Sequence, residues 1–243
     1  MRKIYLIRHG ESQWNVLRKI QGQKDIPLTD KGRKQAELAG EKLSEENIDI
    51  IYSSDLKRAS ETAEIIGQNI GIEPIYNMSL REINFGIWEG LSNDSMNSKY
   101  RDEVCLWRRE PEKLNIQEAE NLYDVQRRAM NFLNFILENE KDENILVVSH
   151  GVTLKTIILD LLNMDLIYFK NLTIDNTGLS IIEFREYNRV LKLEETGVCL
   201  VDKKNRESNK FKSHIPFRLN LLFFIVFILF LFSLAGGLIV HGL

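Results

Sequence analysis

Two short apolar stretches of this chain end in the same way, with a histidine followed by a glycine. Residues 4–7 lead to His9, and residues 145–148 lead to His150. Both stretches consist almost entirely of apolar residues, several of them β-branched, which is typical of buried strands. A buried parallel strand carries the residue at its carboxyl end to the mouth of the sheet. The pattern therefore predicts an α/β fold in which two imidazoles share one crevice.

Strand and helix patterns alternate along the first part of the chain. Predicted strands lie at 4–7, 48–52, 145–148 and 179–184, and predicted helices at 29–43, 55–71 and 118–139. This order is typical of a parallel sheet with helices on both faces. We therefore expect a three-layer α/β/α sandwich with a mostly parallel central sheet. Residues 91–117 have weaker periodicity and are expected to form a lid or an insertion over the site.

The C-terminal part differs from the rest of the chain in hydropathy. Residues 221–240 contain no charged side chain, and a helix of that length spans about 30 Å, the thickness of a bilayer core. A buried core helix is the alternative, but it rarely has apolar groups on every face. Six basic and two acidic residues at 202–218 precede this stretch, which by the positive-inside rule keeps the domain before it in the cytoplasm.

The chain is therefore expected to have three parts. Residues 1–201 form the catalytic domain, residues 202–218 a charged linker, and residues 219–240 a transmembrane helix. The protein is expected at a membrane, held by a single C-terminal crossing.

Charge and cysteine content exclude several function classes. The formal net charge of −3 gives no general attraction to nucleic acid. The only cysteines, Cys105 and Cys199, lie far apart and lack the spacing of a zinc site or a disulfide scaffold. We therefore expect neither a metal nor a nucleic-acid partner.

Two arginines are placed to neutralise an anion near the histidines. Arg8 ends the first predicted strand, where a buried charge is costly unless it meets an anion. Arg58 lies in the first turns of a predicted helix, where the guanidinium group and the helix dipole can both face a phosphate. A lone buried histidine is usually a core residue, but Arg8 beside His9 favours phosphoryl chemistry on a neutral imidazole. Gly10 is expected to let the phosphate approach the main chain.

Cleavage of a phosphate ester also needs a proton for the departing oxygen. Glu82 and Glu89 lie in a segment that contains glycines and aromatic residues, and either carboxyl group could donate that proton. Spacing alone does not choose between them. His150, as a cation or a hydrogen-bond donor, would stabilise the transferring phosphoryl group.

Five ordered motifs extend this pattern over residues 1–190. They are Leu6-Ile7-Arg8-His9-Gly10-Glu11-Ser12 with Asn15; Asp25-Ile26-Pro27-Leu28-Thr29 with Gly32, Gln35 and Ala36; Tyr52-Ser53-Ser54-Asp55-Leu56-Lys57-Arg58-Ala59 with Thr62 and Ala63; Glu82 with Phe85-Gly86 and Trp88-Glu89-Gly90; and Val148-Ser149-His150-Gly151. Together they resemble the histidine phosphatase superfamily, the phosphoglycerate-mutase-like proteins.

The resemblance implies the catalytic residues. His9 is expected to be phosphorylated during the reaction, and Glu82 to act first as general acid and then as base for water. His150 is expected to help hold the phosphoryl oxygens. No metal or cofactor is needed in this family.

The resemblance also implies the residues that bind the substrate. Arg8 and Arg58 are expected to hold the phosphoryl oxygens. Asn15, Gln21 and Gly22 are expected to border the phosphate pocket.

The family contains both phosphatases and mutases, so the reaction has an alternative. The segment 85–90, Phe-Gly-Ile-Trp-Glu-Gly, differs from the Glu-Arg-x-Tyr-Gly form typical of glycolytic mutases and favours a phosphatase. We therefore expect hydrolysis of a small phosphomonoester, with a cofactor-dependent phosphoglycerate mutase as the alternative. A membrane-tethered phosphate-binding module without catalysis is an alternative of another class, which the complete set of catalytic residues disfavours.

The substrate is less constrained than the reaction. The resemblance extends to α-ribazole-phosphate phosphatases, whose role in cobalamin assembly would place them at a membrane, so α-ribazole 5′-phosphate is the named candidate. Where many relatives have Gly-Glu-Ser before the long helix, this chain has Ala119-Glu120-Asn121. Whether residues 119–121 contact the substrate is therefore open in this chain. Glu120 is expected to form part of the cap at the start of the long helix.

Overall fold

The structure is a computed structural model that describes residues 1–139 and 143–194. The predicted linker at 202–218 and the predicted anchor at 219–240 lie outside the described residues. Within the described ranges, none of the helices combines the length and the apolar character that a membrane crossing requires.

A six-stranded sheet forms the centre of the fold, with the strands in the order β3-β2-β4-β1-β5-β6. The strands are β1 (Lys3–Arg8), β2 (Ile50–Ser53), β3 (Pro74–Tyr76), β4 (Asn144–Ser149), β5 (Leu179–Phe184) and β6 (Arg189–Glu194). Strands β1 to β4 pair in parallel, whereas β5 is antiparallel to both β1 and β6. The predicted α/β fold with a mostly parallel sheet is confirmed.

Strands β3 and β6 are not predicted from the sequence because each lies at an edge of the sheet. β3 has three residues, and its Ile75 and Tyr76 are exposed. β6 mixes charged and apolar residues, and its Leu193 is exposed. Edge strands are not covered on both faces, so they lack the continuous apolar run of a central strand.

Helices connect the strands and surround the sheet. The helices are α1 (Gln13–Val16), α2 (Asp30–Leu43), α3 (Lys57–Ile70), α4 (Asn93–Lys99), α5 (Arg101–Arg109), α6 (Leu122–Asn139) and α7 (Gly151–Leu161), with 3₁₀ helices at Met78–Leu80, Gly86–Trp88, Pro111–Lys113 and Leu166–Asn171. The predicted start signal acts at α2 and the predicted stop signal at α3, whereas α3 begins at Lys57, later than predicted, with no side-chain cap on Leu56. Thr29 accepts a hydrogen bond from the N–H of Gly32, and Gly71 ends α3 in the left-handed region at φ 77°.

The long helix α6 begins later than predicted. Glu118 has a φ of 58°, which an α-helix does not contain. The cap is formed by Asn121 and Asp124, each of which accepts a hydrogen bond from the main-chain N–H of the other. Glu120 instead accepts a hydrogen bond from the N–H of Asn84 at 2.9 Å. The expectation that Glu120 caps this helix is wrong.

Alternate residues of the central strands face two separate helical layers. Ile4 and Leu6 of β1 pack against α6 and α7 on one face of the sheet. Tyr5 and Ile7 pack against α2 and α3 on the other face. Successive side chains of a strand point to opposite faces, so a single strand contributes to both cores and three layers result.

The segment at 91–117 is a packed insertion with two short helices, α4 and α5. It shares a third apolar core with the loop that follows Glu82. The buried members of this core include Phe85, Trp88, Met96, Val104 and Leu114. The insertion therefore packs against the segment that carries one of the predicted catalytic residues.

Candidate active site

The two predicted histidines lie next to each other, each directly after the carboxyl end of its strand. β1 and β4 are parallel neighbours, and Arg8 is opposite Ser149 in their register. His9 and His150 are the next residues along each strand, and their ring centroids lie 5.1 Å apart. The exposed fractions are 2% for His9 and 0% for His150. Two buried imidazoles therefore share the carboxyl edge of the sheet, as the sequence predicts.

The ring of His9 is oriented by its own main chain. Its Nδ1 lies 2.7 Å from the carbonyl oxygen of Gly10, and since a carbonyl only accepts, Nδ1 carries the proton and Nε2 keeps its lone pair. Burial lowers the pKa of His9 well below its usual value, and the charges of Arg58 and Arg8 lower it further. His9 is therefore a neutral imidazole with an available nucleophilic nitrogen.

His150 is held by a serine from the neighbouring strand end. Its Nε2 lies 2.8 Å from Oγ of Ser54, which itself accepts a hydrogen bond from the N–H of Leu56. The serine hydroxyl can then donate to Nε2, which leaves the proton of a neutral ring on Nδ1. Burial, followed by the charge of Arg58, lowers the pKa of His150 well below its usual value. His150 is thus a neutral donor.

Arg58 is fully buried, with an exposed fraction of 0%. Its Nη2 donates to the carbonyl of Gly22 and its Nη1 to the carbonyl of Lys24, both at 2.8 Å. Gly22 turns in the left-handed region at φ 51° to present that carbonyl, a conformation that favours glycine. Burial lowers the pKa of Arg58 to about 10, so the side chain is a cation at neutral pH.

Arg8 lies on the other side of His9 along the chain. Its Nη1 donates to the carbonyl of Ile174 at 2.7 Å. Burial lowers the pKa of Arg8, while the negative charge of Glu82 acts in the opposite direction. Three buried nitrogens of the site have no hydrogen-bond partner among the described residues, namely Nε of Arg8, Nε of Arg58 and Nδ1 of His150. Each can donate, so together they suit an anion with several oxygens.

Glu82 lies at the start of α7, the helix that follows His150. Its carboxylate accepts hydrogen bonds from the N–H groups of Ile83 at 3.0 Å, Val152 at 3.2 Å and Thr153 at 3.3 Å. A Cβ placed on Gly151 would lie 3.7 Å from Nε of Arg8 and 3.9 Å from Oε2 of Glu82. The carboxylate and the guanidinium group therefore flank the first turn of α7.

Glu89, the other candidate acid, is used by the main chain. One of its oxygens accepts hydrogen bonds from the N–H groups of Gln23 at 2.8 Å and Phe85 at 3.2 Å. Its side chain has an exposed fraction of 8%, and it lies against Gly22, where a Cβ would overlap the carboxylate. The geometry separates the two candidates: Glu82 contacts the first turn of α7, which follows His150, and Glu89 supports the Gly22 turn.

A second layer of side chains holds the main chain at Glu82. The carbonyl of Glu82 accepts hydrogen bonds from Nη2 of Arg128 at 3.0 Å and from Nε2 of Gln23 at 3.2 Å. Arg128 also donates to both carboxylate oxygens of Glu120, and one of these oxygens accepts the N–H of Asn84. The main-chain carbonyl of Glu82 is therefore held by side chains from two parts of the chain, Arg128 in α6 and Gln23 next to the Gly22 turn.

A cavity of about 250 Å³ lies beside this supporting layer. It is lined by Gln23, Met78, Ser79, Arg81, Glu120 and Arg128. Its two arginines are already paired, Arg81 with Asp55 and Arg128 with Glu120. Neither histidine lines it, so it is distinct from the group of donors around His9.

Asn15 and Gln21 lie one step further from the histidines. Ser12 caps α1 together with Asn15 and also donates to Oε1 of Gln21 at 2.7 Å. Asn176 joins this group to the site, since its amide nitrogen lies 3.3 Å from Oδ1 of Asn15 and 2.9 Å from the carbonyl of His9. The structure thus links these predicted pocket residues to His9 through Asn176. Their substrate contacts stay predictions.

The structure gives Gly10 a role in packing. A Cβ on Gly10 would overlap the main chain of Gly32 in α2. The lack of a side chain therefore allows the close approach of α2 to the loop after β1, and the approach of a phosphate to this main chain stays a prediction. In addition, the N–H of Gly10 donates to Oγ1 of Thr62 at 3.0 Å, which ties this loop to α3.

Several residues of the site have only a weak signal in the sequence. Ser54 follows a predicted strand and is recognisable as a polar residue at a strand end. Arg128 lies within a periodic helix, where an arginine usually marks a solvated face. Gln23 and Asn176 lie in loops, whose contacts depend on the folded chain. Arg128, Gln23 and Asn176 are therefore identified by their positions in the fold and not by their residue types.

The site is richer in cations than in metal ligands. Within residues 1–139 and 143–194, no three His, Cys, Asp or Glu side chains come together as a group that could hold a metal ion.

Comparison with known proteins supplies the family. The model of the histidine phosphatase superfamily, branch 1, matches residues 4–196. Phosphoserine phosphatase 1 of Hydrogenobacter thermophilus is 36% identical over 197 residues, which cover 81% of this chain and 93% of that protein. The protein named probable phosphoglycerate mutase GpmB from Yersinia pestis is 35% identical over 190 residues, which cover 76% of this chain and 86% of that protein.

A solved structure supports the same assignment of the fold. An Escherichia coli K-12 protein, provisionally named as an α-ribazole-5′-P phosphatase, superposes with a TM-score of 0.72 at 26% identity. The superposition covers 79% of this chain and 95% of that protein.

Proposed function

This chain belongs to the histidine phosphatase superfamily, and we propose that it hydrolyses small phosphomonoesters through a phosphohistidine formed on His9. The predicted enzyme class, a phosphatase, is confirmed by relatives that are themselves named phosphatases. One observation carries the mechanism. Three buried nitrogens, on Arg8, Arg58 and His150, have no partner among the described residues; the ring of His150 lies 5.1 Å from that of His9, and the charges of both arginines lower the pKa of His9, so the oxygens of a phosphoryl group on His9 would satisfy these nitrogens.

In the first step, Nε2 of His9 attacks phosphorus and the bond from phosphorus to the ester oxygen breaks. The proton of the Glu82 carboxyl group goes to the departing oxygen, so the alcohol leaves neutral. The phosphoryl group stays on Nε2. The hydrogen bond from Nδ1 to the carbonyl of Gly10 stabilises the positive charge that the ring gains.

Charge on the three phosphoryl oxygens is balanced by the surrounding donors. Arg8 and Arg58 supply two cations, and Nδ1 of His150 supplies a further hydrogen bond. Arg58 is anchored on the carbonyls of Gly22 and Lys24, so its guanidinium group is positioned before the substrate binds. Fixed donors of this kind stabilise a transition state without reorganisation.

In the second step, water attacks the phosphohistidine. The Glu82 carboxylate takes a proton from the water, the new bond from oxygen to phosphorus forms, and the bond from phosphorus to Nε2 of His9 breaks. Inorganic phosphate leaves, and both side chains regain their starting states. The cycle needs one residue that gives and then takes a proton, and Glu82, whose carboxylate contacts the turn that follows His150, is the residue we assign to this role.

A phosphoglycerate mutase is the alternative, and the Yersinia pestis relative supports it. In a mutase the phosphohistidine would pass its phosphoryl group to a second hydroxyl group instead of to water. The two reactions share every residue named above, so products decide between them. A binding module without catalysis would form neither free phosphate nor an isomer.

The substrate is a small phosphomonoester. α-Ribazole 5′-phosphate, the candidate from the sequence, is supported by the name of the Escherichia coli structure. Phosphoserine is a further candidate, because the Hydrogenobacter thermophilus relative is a phosphoserine phosphatase. Both belong in one panel with 3-phosphoglycerate.

We also propose, from hydropathy alone, that residues 219–240 anchor the chain in a membrane with the catalytic domain in the cytoplasm. The support is the charge-free stretch and the basic residues before it. Co-sedimentation with lipid vesicles tests this proposal, with a chain that ends at Val201 as the control. Equal recovery of both chains with vesicles would contradict it.

The mechanism is tested by phosphate release from this panel in metal-free buffer. The full chain should release phosphate, and samples quenched with alkali, in which the P–N bond is stable, should contain a phosphohistidine. His9→Ala should lose both signals, whereas His214→Ala, a histidine outside the described residues, should keep them. Isomerised 3-phosphoglycerate without net phosphate release would favour the mutase, and activity in His9→Ala would rule out the phosphohistidine.

A further inference from the structure

Lys155 lies on the face of α7 that borders the active site. It follows Gly151 by four residues, and residues four apart share a helix face. Gly151 is the residue between Arg8 and Glu82. Side chains on a helix lean towards its N-terminus, which is the end of α7 that Arg8 and Glu82 flank.

The ammonium group of Lys155 is seated on an aromatic ring. Its Nζ lies 3.5 Å from the ring centroid of Phe169, in the 3₁₀ helix Leu166–Asn171. It makes no hydrogen bond or salt bridge to the residues that the structure describes. Lys34 and Lys192, in contrast, are paired with Glu37 and Glu183. A cation–π contact fixes the position of an ammonium group but occupies none of its N–H donors.

The charges of the catalytic centre act on this lysine. Burial lowers the pKa of Lys155 to about 8, while the charge of Glu82 raises it and that of Arg8 lowers it. Lys155 is therefore still mostly protonated at neutral pH. A half-buried cation within the field of the catalytic residues, with free donors, is suited to bind an anion.

Aromatic side chains extend from Lys155 towards the acid. Phe169 contacts Trp107, with ring centroids 5.5 Å apart, and Trp107 contacts Phe85 at the same distance. Phe85 follows Glu82 by three residues. Trp107, from the insertion at 91–117, is half-buried. The buried rings of Phe85 and Phe169, with the half-buried Trp107 between them, therefore connect the ring that Lys155 contacts to the segment that carries Glu82.

We propose that Lys155 binds a carboxylate on the alcohol part of the substrate, so that the enzyme prefers phosphomonoesters of hydroxy acids. This inference rests on the proposed function. The phosphoryl group uses Arg8, Arg58 and His150, whereas the carboxylate uses a cation one helical turn away from Gly151. Two anionic groups on one small molecule would then be recognised by separate sets of donors.

Matched ester pairs test this proposal with the full chain. Phosphoserine and phosphoethanolamine differ only in the carboxylate, and 3-phosphoglycerate and glycerol phosphate differ by a carboxylate in place of a hydroxymethyl group. Values of kcat/KM are measured for both pairs and for α-ribazole 5′-phosphate. The variants are Lys155→Met, Lys155→Arg and the surface control Lys34→Met, with thermal unfolding as a check of folding. Lys155→Gln replaces Lys155→Met where the latter does not fold.

The wild type should prefer the acid in each pair. Lys155→Met should lower kcat/KM for the acids by about ten- to a hundredfold and leave the carboxylate-free esters nearly unchanged. Lys155→Arg should keep most of the preference, and Lys34→Met all of it.

Two results would overturn the inference and leave the proposed function intact: an acid preference that is equal in the wild type and Lys155→Met, or efficient hydrolysis of α-ribazole 5′-phosphate with no preference for acids. A wild type that hydrolyses none of the five esters would instead remove the proposed function, and the carboxylate site with it.

Discussion

Arg128 donates a hydrogen bond from its Nη2 to the main-chain carbonyl of Glu82, at a distance of 3.0 Å. The contact joins the 18-residue helix α6 to the loop that carries the proposed general acid. We therefore expect Arg128 to act on the reaction through the position of Glu82, in addition to the effect of its charge, which lowers the pKa of His150.

Replacement of Arg128 by methionine should lower kcat by about tenfold to a hundredfold, with little change in KM, because the phosphate donors remain in place. The loss should be larger for alkyl phosphates than for p-nitrophenyl phosphate, whose leaving group needs little protonation. The neighbouring Arg127→Met is the matched control, since Arg127 is exposed and, among the residues that the structure describes, pairs only with Asp124. Equal losses on both classes of ester would indicate a general structural defect instead of a displaced acid.

The two glutamates of the loop should respond differently to substitution. Glu82→Gln removes the proton donor and should reduce hydrolysis of alkyl phosphates by about 10²- to 10⁴-fold. Glu89→Gln weakens two hydrogen bonds to main-chain N–H groups and should lower the free energy of unfolding by about 1–3 kcal/mol. Steady-state kinetics and urea unfolding of both variants separate the two effects. A larger kinetic loss in Glu89→Gln than in Glu82→Gln would reverse the assignment of the acid.

Stability should fall as the pH is lowered below 6.5. His9 and His150 have lowered pKa values in the folded protein because of burial and the nearby arginine charges, so the unfolded chain binds protons that the folded chain does not. Each histidine should then remove about 1.4 kcal/mol per pH unit from the free energy of unfolding, from pH 6.5 down to its folded pKa. The contribution of each histidine to the free energy of unfolding is complete above pH 6.5 and decreases as the pH falls below that value.

Urea unfolding between pH 7 and pH 5 measures this slope. His9→Gln should reduce it, and His214→Gln provides the comparison outside the described residues. A slope that is identical in the wild type and His9→Gln would mean that His9 titrates normally in the folded protein.

A chain that ends at Val201 should keep the turnover number of the full chain on a small soluble ester. Every residue proposed to contact the substrate, and every residue found to support one, precedes β5 in the sequence. The measurement is kcat for both chains on the same substrate, normalised by titration of the phosphohistidine. A folded short chain with much lower kcat would show that residues after 201 contribute to catalysis.

The central strands and their histidines could be predicted because burial on both faces imposes a continuous apolar run, and the polar residue that follows it is conspicuous. Ile4 to Ile7 is such a run, and His9 follows it after one residue. Edge strands such as β6 are subject to no such requirement, so their sequences look like loops.

The choice between Glu82 and Glu89 as the general acid could not be made from the sequence pattern. Both are glutamates in one loop, and both become partly or largely buried. The difference lies in which main-chain N–H groups each carboxylate meets, Val152 and Thr153 in one case and Gln23 in the other. These partners are separated from the loop by about 60 to 70 residues, and only the folded chain brings them together.

The position of β4 between β2 and β1 also determines when the enzyme can first work during its own synthesis. β1 and β2 have no shared neighbour until residues 144–149 have left the ribosome. At about 5–20 residues per second, many seconds pass between the synthesis of His9 and that of β4 and His150. Every shorter nascent chain lacks the second imidazole and the start of α7, which holds Glu82. Catalytic competence is therefore acquired late, so that an unfinished chain does not consume phosphate esters.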